Sequence, residues 1–205
     1  MTKTLHVPLV SGFNQLSSFA RGRVDVPCWP ESFPYAPEVE FAIAHDSRSI
    51  LIRFDVEEDN PRAETMVSNG PVWEDSCVEF FVREPGSRYY FNFETNCIGT
   101  GLAAQRLSRE DFKHFDEARM ARIIRRSSLP FGKTDLGHTR WSLELEVPFE
   151  IICEGPVPPS ALEANFYKCG DKTAVPHFLS WNKVETPAPD FHRPEFFGKL
   201  IIDNH

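Results

Sequence analysis

The sequence predicts an all-β chain, an antiparallel β-sandwich of jelly-roll-like form with at most one short helix. Apolar residues recur at period two in short runs, and Gly, Pro, Asn and Asp clusters separate those runs. Helical spacing occurs in one brief segment. Seventeen prolines punctuate the chain, and 18 phenylalanines supply core bulk suited to pleated surfaces. Eight or more such strands bury their apolar faces by packing as two sheets.

The elements follow in order. Residues 1–37 read as an irregular, proline-studded opening with one short strand near Arg23–Val26. Val39, Phe41 and Ile43 then alternate, His45-Asp46-Ser47-Arg48-Ser49 turns the chain, and Ile50–Val56 returns to make a hairpin that Asp59-Asn60-Pro61 ends. Cys77–Arg83 sets Val78, Phe80 and Val82 against Cys77, Glu79 and Phe81. After Pro85-Gly86, Tyr89–Asn96 carries Tyr90, Asn92, Glu94 and Asn96 on one face and aromatics on the other. Ser108–Arg122, with Phe112, Phe115 and Met120, is the helical candidate. Ala121–Ser128 and Arg140–Val147 resume strand character. In the latter, Trp141 shares the apolar face with Leu143, Leu145 and Val147, which places it in the core. Pro148–Ile152 reads as a turn or brief helix, and Ala161–Lys168, His177–Lys183 and Phe196–Ile202 as the last strands.

Nothing in composition or linkers divides the 205 residues, so residues 1–205 are expected to form one domain. The net charge of −8 is spread along the chain, which argues against a nucleic-acid groove because that needs a basic stripe. Arg119, Arg122, Arg125 and Arg126 form a small basic cluster that reads as a solvated helix end and strand edge. No stretch approaches the ~20 apolar residues of a membrane span, and Met1–Val10 lacks the apolar run of a secretory signal. Neither location nor oligomeric state follows from these patterns. Five cysteines without Cys-x-x-Cys spacing point to buried free thiols; Cys77 and Cys97, both in expected strands, could face each other.

Chemistry concentrates around two tryptophans. Trp73 precedes Cys77–Arg83 among polar residues, and Trp181 lies between Ser180 and Asn182. Either indole alone fits core packing as well as binding. As a pair they suit a sugar clamp, since an indole face matches the C–H face of a pyranose while carboxylates and amides bond its hydroxyls. Antiparallel pairing of Cys77–Arg83 with Tyr89–Asn96 would bring Asn92 near Glu79, on a strip that is either a ligand face or an exposed sheet face.

The spread of Val39–Val56, Trp73–Val82, Tyr89–Asn96, Trp141–Phe149, Asn165–Asp171, Ser180-Trp181-Asn182 and Phe197-Gly198-Lys199-Leu200 resembles carbohydrate-binding module family 9, over most of residues 38–203. That family is a β-sandwich akin to DOMON-like domains. Its members bind saccharides, some gripping a terminal ring between two tryptophans, and many accompany glycoside hydrolases. The resemblance implies that Trp73 and Trp181 stack on the sugar, that Glu79 accepts hydroxyl hydrogens, and that Asn92 with Asn165 or Asn182 supplies amide contacts. Tyr90 stands where some members place an arginine.

Rival chemistries have candidate residues of their own. Glu79 and Glu94 could serve as the paired carboxylates of a glycoside hydrolase. Haem, as in some DOMON-like relatives, would need His45 or His177 with Met66 or Met120. Asp55, Glu57, Glu58, Asp59 and Asn60 form an oxygen-rich stretch of the kind that holds structural Ca²⁺.

Overall fold

The computed structural model describes residues 2–130, 137–153, 155 and 157–204. Among these, strands form two sheets, with only short helical turns between them. A five-stranded sheet runs β10 (Ile124–Ser127), β11 (His138–Pro148), β5 (Ser49–Asp59), β4 (Glu38–His45), β2 (Ala20–Arg23). The larger, nine-stranded sheet runs β1 (Thr4–Val7), β14 (Gly198–Ile202), β12 (Ala161–Cys169), β6 (Cys77–Arg83), β7 (Tyr90–Asn96), β8 (Gly101–Arg106), β9 (Phe112–His114), with β13 (Phe178–Ser180) joining β12 to β3 (Val26–Pro27). Pairing is antiparallel except where β1 lies parallel to β14.

Alternation decides the layers. Val78, Phe80 and Val82 of β6, Phe91 and Phe93 of β7, and Phe166 of β12 meet Phe41, Ile43, Ile52 and Phe54 of the opposing sheet in the main core. Phe41 stacks on Phe166 with ring centroids 3.9 Å apart. The expected hairpin is β4–β5, turned at Ser47 with φ of 71°, and Trp141 is buried in this core as expected. Its indole Nε1 donates to Glu58 Oε1 at 2.7 Å.

The helical expectation over Ser108–Arg122 is corrected in part. Phe112–His114 is an edge strand paired with β8, and only Glu117–Ala121 is helical, capped by Asp116, whose side chain accepts from the Arg119 N–H. Phe149–Ile152 forms one further helical turn. Strand β8 adds to the strands expected from the sequence. No helix among the described residues is long and apolar enough to cross a membrane.

The outer face of the nine-stranded sheet carries a second apolar cluster. Phe81, Tyr90, Leu102 and Tyr167 are covered there by Trp29, Val184, Phe191 and Phe197 from the opening segment and the loop after β13. These loops convert a strip of polar strand residues into a roofed surface, and the site lies beneath it.

Candidate functional site

Four neighbouring strands, β12, β6, β7 and β8, set the floor. The register places Glu79 of β6 opposite Glu94 of β7 on one side and Tyr167 of β12 on the other. Period-two alternation puts Cys77, Glu79, Asn92, Glu94, Leu102, Arg106 and Cys169 on the outer face. A cavity of ≈ 270 Å³ opens there, with Glu79, Glu94, Arg106, Cys169 and Asp171 below and Trp73, Phe112, Phe178 and Phe191 around it. That volume is near the lower end for ligand pockets, about 300 Å³, and suits one ring better than an extended chain.

The polar groups are organised as a relay. Arg106 Nε donates to Asn92 Oδ1 at 2.8 Å, and Asn92 Nδ2 donates to Glu94 Oε1 at 2.7 Å. Arg106 also donates from Nη1 to the Arg109 carbonyl at 2.8 Å, and its guanidinium lies 4.3 Å from the Phe112 ring centroid. Cys169 Sγ donates to Glu79 Oε1 at 3.0 Å. The second Glu94 oxygen, Oε2, is buried and has no hydrogen-bond partner. An unpartnered buried oxygen costs about 1–3 kcal/mol, and a donor arriving from a ligand removes that penalty.

Burial tunes the charges. Desolvation, then the facing Glu94, pushes the Glu79 carboxyl well above its ordinary range. Desolvation lifts Glu94 to about 7, opposed by Arg106 and by the hydrogen bond from Asn92. Asp171 rises to about 6 through desolvation and then the nearby Glu74. His192 is held neutral, lowered to about 3 by burial and then by Arg106, and its Nδ1 shares a hydrogen bond with the Tyr90 hydroxyl at 3.1 Å.

The residues expected from sequence fall into two groups. Trp73, 37% exposed, lines the cavity with Glu79 and Glu94, while Asn92 braces the floor from beneath. Tyr90 is buried in the outer cluster, and its cross-strand partner in β8 is Arg106, so an arginine reaches Asn92 from the neighbouring strand. Trp181, Asn165 and Asn182 lie elsewhere. Trp181 is 4% exposed in the main core, edge-on to Phe41 and Phe166, with its ring against Gly198, where a Cβ would lie 2.4 Å from it. The two-tryptophan sandwich is therefore corrected: one indole lines the cavity and the other holds the sheets together. Asn165 Oδ1 accepts from the Asn182 N–H at 2.9 Å, and Asn182 bonds the Lys3 N–H and the Phe196 carbonyl, so both amides fasten the chain after β13.

The carboxylates and imidazoles that could hold calcium or haem are engaged with other residues. Asp55 is paired with Arg53, Glu57 with His138 and Arg140, and Asp59 with His138, while Glu58 turns inward to Lys168, so the acidic stretch does not converge as a calcium cage. His45 Nε2 bonds the Asp203 carbonyl at 2.7 Å, and His177 Nε2 lies 2.7 Å from Lys168 Nζ, so neither imidazole is presented as a haem ligand. Cys77 lies opposite Cys169, not Cys97, and all five thiols are free.

Sequence patterning does not reach Arg106, Arg109, Asp171, Phe178, Phe191 or His192. A signal for Arg106 exists: Asn96-Cys97-Ile98-Gly99, with Gly99 at φ 91°, turns β7 back, and the resulting hairpin register sets Arg106 opposite Tyr90.

The model for "Carbohydrate-binding family 9" matches residues 13–202. The crystal structure of a "putative carbohydrate-binding protein" from Bacteroides uniformis ATCC 8492 is similar with a TM-score of 0.90 and 35% identity, over 99% of this chain and 100% of that one. A carbohydrate binding module family 9 from Caldicellulosiruptor kristjanssonii in complex with glucose gives a TM-score of 0.62 at 11% identity, over 99% of this chain and 97% of that one. One from the same organism with cellotriose gives 0.64 at 11%, covering 99% and 95%. At such identity the last two speak for the fold alone. No curated protein matches the chain.

Proposed function

The chain belongs to carbohydrate-binding family 9, and from that premise we propose that it binds a saccharide ring, without catalysis, in the outer-face cavity. Trp73 offers its exposed indole to the C–H face of the ring. Glu79 and Glu94 take hydroxyl hydrogens, and Arg106 both orients Asn92 and donates to ring oxygens. The observation that carries this reading is the Glu94 Oε2 atom, buried and without a partner in a cavity walled by aromatics. A neutral, donor-rich ligand of one ring satisfies it. The family 9 modules from Caldicellulosiruptor kristjanssonii hold glucose and cellotriose, and a hexose or the end of a glucan is the ligand proposed here. Such a role suits a module accompanying polysaccharide breakdown.

The same two carboxyls are those a hydrolase would use. A glycosidase needs one of the pair ionised as nucleophile or base. Here burial raises both, Glu94 to about 7, so near neutral pH the pair holds a proton and can donate as well as accept hydrogen bonds to a ligand's hydroxyls. The contacts proposed, about 1 kcal/mol for stacking beyond area burial and about 1.5–3 kcal/mol for a charge-assisted bond, leave micromolar to millimolar affinity after association costs.

A glycan panel read by calorimetry, with aryl glycosides included, tests the proposal. Retention of a hexose or glucan by the native chain, its loss in Arg106→Met and no glycoside turnover are expected. Turnover abolished in Glu79→Gln would overturn the non-catalytic reading.

A further inference from the structure

At the deep end of the cavity, two thiols that saccharide binding does not use converge on Glu79, whose carboxyl can ligate through one oxygen and accept a saccharide hydroxyl through the other. Cys77 and Glu79 alternate on the outer face of β6, and Cys169 lies directly opposite Cys77 on β12. Their Cys77 Sγ, Glu79 carboxylate and Cys169 Sγ atoms all lie within 4.8 Å of one another, and all three residues are buried. Among the described residues, this is the one such cluster of three potential metal ligands. From this juxtaposition we propose that Cys77, Glu79 and Cys169 form a binding site for a thiophilic divalent cation of the Zn²⁺ class.

Ligand chemistry selects the metal. Two sulfurs and one carboxylate oxygen favour Zn²⁺ over Ca²⁺ or Mg²⁺, which take oxygen sets. Bond lengths near 2.3 Å to sulfur and 2.0 Å to oxygen put tetrahedral ligands roughly 3.5–3.8 Å apart. The Cys169 Sγ to Glu79 Oε1 distance of 3.0 Å opens slightly to reach that spacing, and no pair exceeds 4.8 Å, so side-chain rotation suffices.

Three protein ligands leave a fourth position. Glu79 and Cys169 both line the cavity, so that position faces it and takes water or a ligand hydroxyl. Glu94, directly opposite Glu79 in the register, turns its partnerless Oε2 to the same cavity, where a water or a ligand hydroxyl at the fourth position would meet an acceptor. Cation binding displaces the protons of the two thiols and of the Glu79 carboxyl, which leave to solvent, and yields two thiolates, one carboxylate and M²⁺ beside Arg106. The cation site stands whether or not a saccharide occupies the cavity.

Reduced, chelator-treated full-length protein titrated with Co²⁺ and then Zn²⁺ tests it. One equivalent of Co²⁺ with a thiolate-to-cobalt charge-transfer band, displaced by Zn²⁺, is expected, and the band is expected to be lost in Cys77→Ala and Cys169→Ala but kept in Cys153→Ala. X-ray absorption at the zinc edge of the native chain reads the ligands without any variant, and two sulfur neighbours are expected. Absence of the charge-transfer band, an unchanged band in Cys169→Ala, or an oxygen- and nitrogen-only zinc shell would each overturn the site.

Discussion

Replacing each of the two tryptophans by alanine separates their roles. Trp181 is 4% exposed, sits edge-on to Phe166 at 5.6 Å and to Phe41 at 6.0 Å, and fills the space above Gly198. Trp181→Ala therefore leaves a cavity between the sheets, and such truncations cost about 3–5 kcal/mol. With a urea dependence of about 2 kcal/mol/M, the unfolding midpoint falls by roughly 2 M. Trp73 is more than a third exposed, and its main-chain carbonyl, which accepts from the Asp171 N–H, is kept by alanine. Trp73→Ala therefore moves the midpoint little, about 0.5–1 kcal/mol, and acts on affinity instead. Urea titrations followed by far-UV circular dichroism, paired with calorimetric saccharide titrations, give both readouts. A Trp181→Ala protein with the native midpoint and no saccharide binding would refute this division and return the second indole to the ligand.

Further expectations concern buried charge. In chelator-treated protein, burial raises Glu94 from 4.5 to about 7, so its folded-state contribution is complete below about 4.5 and is lost as pH rises through about 7. The gap corresponds to roughly 3 kcal/mol, so Glu94→Gln should exceed the native chain in stability by up to that amount at about pH 9 and match it at about pH 4, read by urea midpoints. On the acid side, His177 and His192 are lowered to about 2 and about 3 by burial, so their contribution is present above about 6.5 and lost as pH falls below it. The acid limb of the midpoint profile should be shallower in His192→Gln. Lys168 Nζ lies 3.0 Å from Glu58 Oε2 inside the sandwich; Lys168→Met should cost about 3–5 kcal/mol by stranding that carboxylate, with much of the loss recovered in Lys168→Met combined with Glu58→Gln, measured as a double-mutant cycle.

The fold is legible where one strand face is apolar and long. Strands β4, β5, β6, β7 and β11 announce themselves because Val, Ile, Phe and Trp alternate with polar residues over seven positions or more. Strand β8 is silent because Gly-Leu-Ala-Ala-Gln-Arg lacks the β-branched and aromatic residues that mark a strand, and its pairing comes from the hairpin turn at Gly99. Strand β9 looks helical in sequence because its three residues are exposed and its phenylalanine joins the helical spacing of the residues that follow.

The site divides in the same manner. Glu79 and Glu94 follow from period-two alternation alone, as does Asn92 beside them. Arg106 follows from the register of the β7–β8 hairpin turned at Gly99, whereas Asp171 and His192 come from strand order and a covering loop, which no local pattern encodes. Trp181 misleads through its flanks: Ser180 and Asn182 look like surface residues, yet Ser180 bonds Cys28 and Asn182 bonds Lys3 and Phe196 in the interior. Satisfied polar residues beside a tryptophan locate it in a core as readily as in a binding face.

The central claim is that a saccharide ring docks on the outer sheet face against Trp73. Nitrogen-15 indole resonances of the native chain, titrated with glucose and cellotriose, test it most directly. Saturable movement of the Trp73 indole signal, assigned through Trp73→Phe, with Trp181 and Trp141 unmoved, is the predicted result. A titration that shifts Trp181 as strongly as Trp73, or one that moves neither at millimolar saccharide, would contradict it.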